Sequence, residues 1–231
     1  MPSEPSIDSA TLPPEPTVDA VAAATAVPAD RADRIARRVA TVFGLGFAER
    51  APGTVGSLAA GLVIWLYLAL IASRGFAAFM VIPGLALVGV YAAGVWATRR
   101  FTAELAEHDP GSVVVDEVAG MLSALVTSQL LAVWLFPIGA LIASLVSAAR
   151  GGGAMLLAPG FGFESAWQQA LLLFGLFRCF DILKPWPIRR IDRQLANAHG
   201  VMLDDVLAGI FAGLAWALLV YLLADKIPLR G

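Results

Sequence analysis

The chain has 231 residues, of which 58% are hydrophobic and 15% charged, with a formal net charge of -2 and a mean hydropathy of +0.76. A soluble domain carries about 25% charged residues, so an ordinary soluble enzyme is excluded. No nucleic-acid partner is expected, and the single cysteine, Cys179, rules out an intrachain disulfide.

The expectation is an all-α, polytopic membrane protein with about four to six membrane-embedded helices. A chain of this length, spent mostly on spans of about 20 residues, leaves no room for a separate soluble domain. Residues 1–30 are rich in Pro, Ala, Ser and acids and contain neither Lys, Arg nor an aromatic. They lack the features of a signal peptide and read as a disordered tail. Residues 31–231 then form a single membrane-embedded domain.

Arg31, Arg34, Arg37 and Arg38 follow the tail, at helical spacing against Ile35, Val39 and Val42. They fit an amphipathic helix on anionic headgroups or, equally, a solvated helix start that sets orientation. The next segment, GLGFAERAPGTVGS, carries Gly53 and Gly56, which permit close backbone approach, and Thr54 and Ser57, either of which can cap a helix. Its unpaired N–H groups would face an anion such as a phosphate; the plainer reading is a capped helix start after a proline turn.

Hydropathy predicts spans over 57–72 and 76–97, a long apolar stretch over 118–149 that Pro137 kinks or splits, a span over 165–183 ended by Pro185, and a last one over 205–223. Basic residues in the short loops (Arg31 to Arg38, Arg99 and Arg100, and Lys184, Arg189, Arg190 and Arg193) place those loops in the cytoplasm. An even number of crossings must then separate residues 118 and 183, most simply one in the long stretch and one before Pro185. Asp116 and Glu117, and Asp204 and Asp205, come to lie at the same face, where each pair opens an apolar stretch.

Ionised carboxylates at the edge of hydrocarbon are functional suspects, and several drawn together repel unless a cation joins them. A divalent ion meets that need. Mg²⁺ takes oxygen ligands from a few carboxylates plus substrate phosphate, whereas zinc is disfavoured because only His108 and His199 are present. Arg178, Asp181 and Lys184 add a mixed cluster that reads either as a self-neutralised ion pair or as a phosphate clamp.

The blocks GLGFAERAPGTVGSLAA, HDPGSVVVDEVAGM, and FRCFDILKPWPIRRIDR followed by GVMLDDVLAG resemble, in that order, those of the phosphatidylglycerophosphatase A family. The resemblance runs from about Gly44 to Gly209. It implies a multi-pass protein of the bacterial inner membrane, a Mg²⁺-dependent lipid phosphatase that converts phosphatidylglycerophosphate to phosphatidylglycerol with its site facing the cytoplasm. The family's acidic motifs fall on Asp116, Glu117, Asp204 and Asp205, its FR-D-K-P motif on Arg178, Asp181 and Lys184, and its HD motif on His108 and Asp109. Two features depart from the family: a longer stretch between Met121 and Leu176, and NAHG before the last acidic pair, with His199 in place of a small or apolar residue.

The expected mechanism is metal-assisted attack of water on the phosphomonoester. Asp116, Glu117, Asp204 and Asp205 hold the metal, Arg178 and Lys184 clamp phosphoryl oxygens, and Asp181 orients them or joins the metal. His108 is a candidate to protonate the leaving oxygen, against a plain loop histidine. Cys179 reads as packing, and an aspartyl-phosphate intermediate stays open. Two other classes compete: a different membrane enzyme acting on phosphorylated lipids, against which the chain lacks the DGxxAR pattern of the headgroup transferases, and a non-enzymatic transporter or scaffold, whose ionisable groups belong nearer the bilayer midplane. Gly89, Ala93 and Gly94 would permit close helix contacts.

Overall fold

A computed structural model describes residues 30–75, 77–105, 111–149, 166–195 and 197–223. These form seven α-helices: α1 (Arg31–Ala40), α2 (Pro52–Leu70), α3 (Ile82–Leu105), α4 (Val115–Ala149), α5 (Ala166–Leu183), α6 (Ile188–Gln194) and α7 (Ala198–Leu223). There is no strand among the described residues. Five segments are long and apolar enough to cross a bilayer: Pro52–Leu70, Ala77–Ala103, Val115–Trp134, Ala166–Leu183 and Ala198–Leu222. The all-α, multi-pass expectation holds, with the span count inside the expected range.

The centre of the bundle is the pair α4 and α7. Met121, Ala124 and Leu125 of α4 and Ala208, Ala212 and Trp216 of α7 are buried, together with Leu173 and Phe177 of α5 and Ile64 of α2. Small residues let the two central helices approach closely. A methyl group on Gly209 would overlap the Gly120 carbonyl and sit 2.9 Å from Ser123 Cβ, and one on Gly213 would lie 2.6 Å from Thr127 Cβ. A methyl on Gly120 would run into the Phe177 ring and the Asp205 carbonyl oxygen. This seam fixes the register that sets Asp116 and Glu117 beside Asp204 and Asp205.

Large apolar side chains point outward instead of inward on the flanking helices. Leu58, Leu62, Leu66 and Leu70 recur every fourth residue along α2 and are all exposed. In water such a stripe would be a liability; in hydrocarbon it is the natural outer face.

Helix α1 docks on the end of α3. Ala36 and Ala40 are buried with Ala97 and Phe101, and Arg100 Nη1 reaches Asp33 Oδ1 at 2.9 Å. Asp30 caps the helix by accepting from the Asp33 N–H at 2.7 Å, a bond that holds the Asp30 carboxyl below its ordinary pKa. Arg31, Arg37 and Arg38 remain exposed, so the basic collar faces outward while small residues make the contact.

Three boundaries differ from the sequence-based expectation. Helix α2 begins at Pro52 and α7 at Ala198, both earlier than hydropathy indicates, because their first turns carry polar and glycine residues that are helical without being apolar. Helix α4 runs unbroken through Pro137 for 35 residues, about 50 Å at 1.5 Å per residue, well beyond a hydrocarbon core of about 30 Å. Within a membrane bundle a proline is tolerated without ending the helix.

Candidate active site

Helices α2, α4, α5 and α7 bring their polar residues to one end of the bundle. Glu117, in the first turn of α4, is only 8% exposed. Its carboxylate is held from two sides. Arg178 Nη1 on α5 stands 2.7 Å from both Oε1 and Oε2, and Ser57 Oγ on α2 lies 2.6 Å from Oε2. Ser57 Oγ also lies 2.7 Å from the Gly53 carbonyl oxygen, so its one proton serves either acceptor.

Gly53 explains how α2 comes so near. A methyl group on it would overlap Glu117 Oε1. The close approach inferred for this glycine is therefore made, and the anion it meets is the protein's own carboxylate. Gly56 serves packing, since its methyl would lie 3.0 Å from Val114 Cβ. Neither Thr54 nor Ser57 caps α2: the cap residue is Ala51, in the left-handed region at φ 47°, with no side-chain cap bond, and Pro52 starts the helix. Thr54, partly buried, sits in the first turn.

Arg178 also bonds Asp181 Oδ2, one turn along the same helix, at 2.8 Å. Where α5 ends, Lys184 adopts φ 40° and sends its ammonium back between two acids, 2.7 Å from Asp204 Oδ2 and 2.8 Å from Asp192 Oδ1. Burial works against the charge on Lys184, but the hydrogen bonds and charges of Asp192 and Asp204 outweigh it and hold its pKa above the ordinary lysine value.

Asp204 and Asp205 are 7% and 5% exposed. They lie in the second turn of α7, whose start is fixed by Asn197: its Oδ1 accepts from the N–H groups of His199 and Gly200 at 2.9 and 3.1 Å. Gly200, the glycine of NAHG, lets the helix start pass close to the preceding loop, because a methyl there would overlap the Leu195 carbonyl. His199 meets Tyr91, with Nδ1 3.1 Å from the Tyr91 hydroxyl. Among the described residues, Oδ1 of Asp204 is buried without a hydrogen-bond partner. The charges that act on Asp205 are those of Asp116, Glu117, Asp181 and Asp204, with Arg178 as the counter-cation. Among the described residues, Asp116, Glu117, Asp181, Asp204 and Asp205 thus share this end of the bundle with Arg178 and Lys184.

Among the described residues, no three His, Cys, Asp or Glu side chains close around one metal-sized point. Glu117 and Asp204 are turned instead to Arg178 and Lys184. His108 and Asp109 lie outside the described residues. Sequence reasoning did not single out Gly120, Gly209 and Gly213, although Gly209 and Gly213 have the four-residue spacing of a close-packing seam. It also missed Asn197 as a cap.

The family described as Phosphatidylglycerophosphatase A matches residues 38–220. A phosphatidylglycerophosphatase A of Haemophilus influenzae is 35% identical over 174 residues, covering 75% of this chain and 82% of the relative. One from Escherichia coli is 29% identical over 177 residues, covering 75% and 77%. A Bacteroides thetaiotaomicron protein, named provisionally as a phosphatidylinositol-3-phosphatase, is 33% identical over 174 residues, covering 75% and 86%. No solved structure matches. The matched region holds all the acidic and basic residues gathered at the end of the bundle, and the chain belongs to the phosphatidylglycerophosphatase A family of membrane enzymes.

Proposed function

We propose that this protein hydrolyses the phosphomonoester of phosphatidylglycerophosphate, giving phosphatidylglycerol and inorganic phosphate, at a site facing the cytoplasm in a bacterial inner membrane. The observation that carries the reading is the meeting of two acidic pairs, from α4 and α7, with Arg178 of α5 and Lys184 just past its end, at one end of a bundle of this family. In the reaction the P–O bond to the headgroup glycerol breaks and a water oxygen bonds to phosphorus. One water proton goes to the glycerol oxygen, and phosphate leaves.

The residues fit a Mg²⁺ requirement. All donors are oxygens, one of them, Asp204 Oδ1, buried and without a hydrogen-bond partner among the described residues, and Mg²⁺ binds through one or two carboxylates plus substrate phosphate, without a complete protein cage. The one or two carboxylates that would hold it come from Asp116, Glu117, Asp204 and Asp205. When bound, the ion supplies charge for a phosphoryl group that becomes more anionic at its oxygens.

The chain's own contribution is orientation. Among the described residues the carboxylate bonds of Arg178 leave from Nη1, so Nη2 and Nε would be the nitrogens that meet a phosphoryl oxygen. Lys184 supplies a point charge held on its acidic partners. Glu117, Asp181 and Asp204 keep these cations in place. Burial of Glu117, Asp204 and Asp205 keeps bulk water from weakening these interactions. The basic collar on α1 and the loop arginines support the cytoplasmic orientation.

The test is phosphate release from phosphatidylglycerophosphate by purified protein in detergent, with Mg²⁺ or chelator, for wild type and Asp205→Asn. Release that needs the ion and is abolished in the folded variant is expected. Folded wild type that releases nothing with Mg²⁺ present overturns the assignment. Phosphatidylinositol 3-phosphate, assayed in parallel, decides the headgroup, since the relatives' names agree on the bond broken and differ on what carries it.

A further inference from the structure

A cavity of about 470 Å³ adjoins the site, lined by Lys184, Pro185, Trp186, Arg189, Arg190 and Gln194. This volume is that of a small-molecule site. Its lining contains three cations and no acid. Lys184 is matched by Asp192 and Asp204, but among the described residues the guanidinium groups of Arg189 and Arg190 meet only neutral oxygens, the Leu183 carbonyl at 3.4 Å and Gln194 Oε1 at 3.3 Å. A second cleft, lined by Asp33, Trp96, Arg99, Arg100 and Ala103, differs in kind, because Asp33 neutralises Arg100 there.

The position of the first cavity is as informative as its charge. Ile182 and Leu183, at the end of α5, are 70% and 60% exposed, and Trp186 is 76% exposed. An apolar outer surface thus leads to the cavity rim, and Lys184 joins the cavity to the acidic centre. A lipid entering from the bilayer would pass these features in the order of its own parts: acyl chains, phosphodiester, glycerol, terminal phosphomonoester.

We propose that Arg189 and Arg190 bind the phosphodiester of the substrate, so that the enzyme reads both phosphates of its headgroup, the terminal one near Arg178 and Lys184 and the inner one in this cavity. Pro185 and Trp186 supply the apolar wall for the intervening glycerol carbons. The proposal rests on the lipid phosphatase reading above.

The experiment uses the full chain in mixed micelles, with phosphatidylglycerophosphate as substrate, comparing wild type with Arg189→Gln/Arg190→Gln. Inorganic phosphate and glycerophosphoglycerol serve as inhibitors, and detergent gel filtration checks folding. Loss of both guanidinium contacts is expected to raise KM about tenfold and leave kcat within about twofold. The inhibition constant of glycerophosphoglycerol should weaken in parallel, while that of inorganic phosphate stays unchanged. Arg189→Lys/Arg190→Lys, which keeps charge without the fork, should recover part of the KM loss. An unchanged KM, or equal weakening of phosphate and glycerophosphoglycerol, overturns the proposal. So does a KM effect that appears only when phosphatidylserine is added to the micelles, since the arginines then hold bulk anionic lipid. Wild type that releases no phosphate defeats the functional reading itself, an outcome distinct from all of these.

Discussion

Arg178 bonds both oxygens of Glu117 through a single nitrogen, Nη1, at 2.7 Å each. The two side chains come from helices α5 and α4 and are 18% and 10% exposed, so neither charge can fall back on full hydration. Removing one partner of such a pair costs about 3–5 kcal/mol, because the other is left buried and uncompensated. Arg178→Gln should therefore lower thermal stability in detergent and abolish phosphate release. The double variant Glu117→Gln/Arg178→Gln should regain most of the melting temperature and stay inactive. Recovery of activity along with stability would show that the pair is structural only.

Gly53 and Ser57 act on the same carboxylate from α2. Gly53→Ala pushes a methyl into Glu117 Oε1, and a displacement of about 1 Å at a reacting site can lower activity about a hundredfold. Ser57→Ala removes a bond to a charged group, worth about 1.5–3 kcal/mol. Gly61→Ala is the control, since its methyl would sit 3.6 Å from Met121 Cε in ordinary contact. Steady-state phosphate release should rank Gly61→Ala near wild type, with the other two well below.

The seam between α4 and α7 makes a separate prediction. Gly209→Ala forces the helices apart and should cost about 1–3 kcal/mol as overpacking. It should also lower kcat, because the two acidic pairs separate with the helices. Gly89→Ala, whose methyl would meet nothing within 4 Å, should change neither. Melting temperature and activity measured on both variants check this.

Lys184 predicts the alkaline limit. Its folded pKa lies above the ordinary value of 10.5, so the stability its ion pairs provide is fully present below pH 10.5 and is lost only as pH rises through the folded value. Between pH 7 and 10 this lysine contributes no loss of stability. Above that range wild type should lose melting temperature, whereas Lys184→Arg, with a guanidinium that stays charged, should lose less. A steep decline already at pH 8 would contradict the double pairing with Asp192 and Asp204.

Charge and hydropathy are properties of the chain, which is why the five spans and the site's acids and bases could be read from it. Asp116, Glu117, Arg178, Asp181, Lys184, Asp204 and Asp205 stand out because ionisable groups are few among so many apolar residues. Their partnerships were not legible. The bonds from Arg178 and Ser57 to Glu117 depend on how three helices are rotated and shifted against one another, and no local pattern records that. Helix starts were misplaced for a related reason: hydropathy follows the apolar run, while the backbone of α7 is already helical at Ala198, ahead of its acids. The assignment of Thr54 and Ser57 as caps failed because Pro52, with its fixed φ, starts α2 a few residues sooner.

Asp204 and Asp205 ride on α7, the last membrane span in the described chain. Glu117, Arg178 and Ser57 are joined by bonds among the earlier spans α2, α4 and α5. A product truncated before residue 204 keeps four spans and part of the phosphate-orienting apparatus, but it lacks half of the acidic centre and the packing partner of α4. The last span thus carries two things at once, the second acidic pair and the surface on which α4 packs.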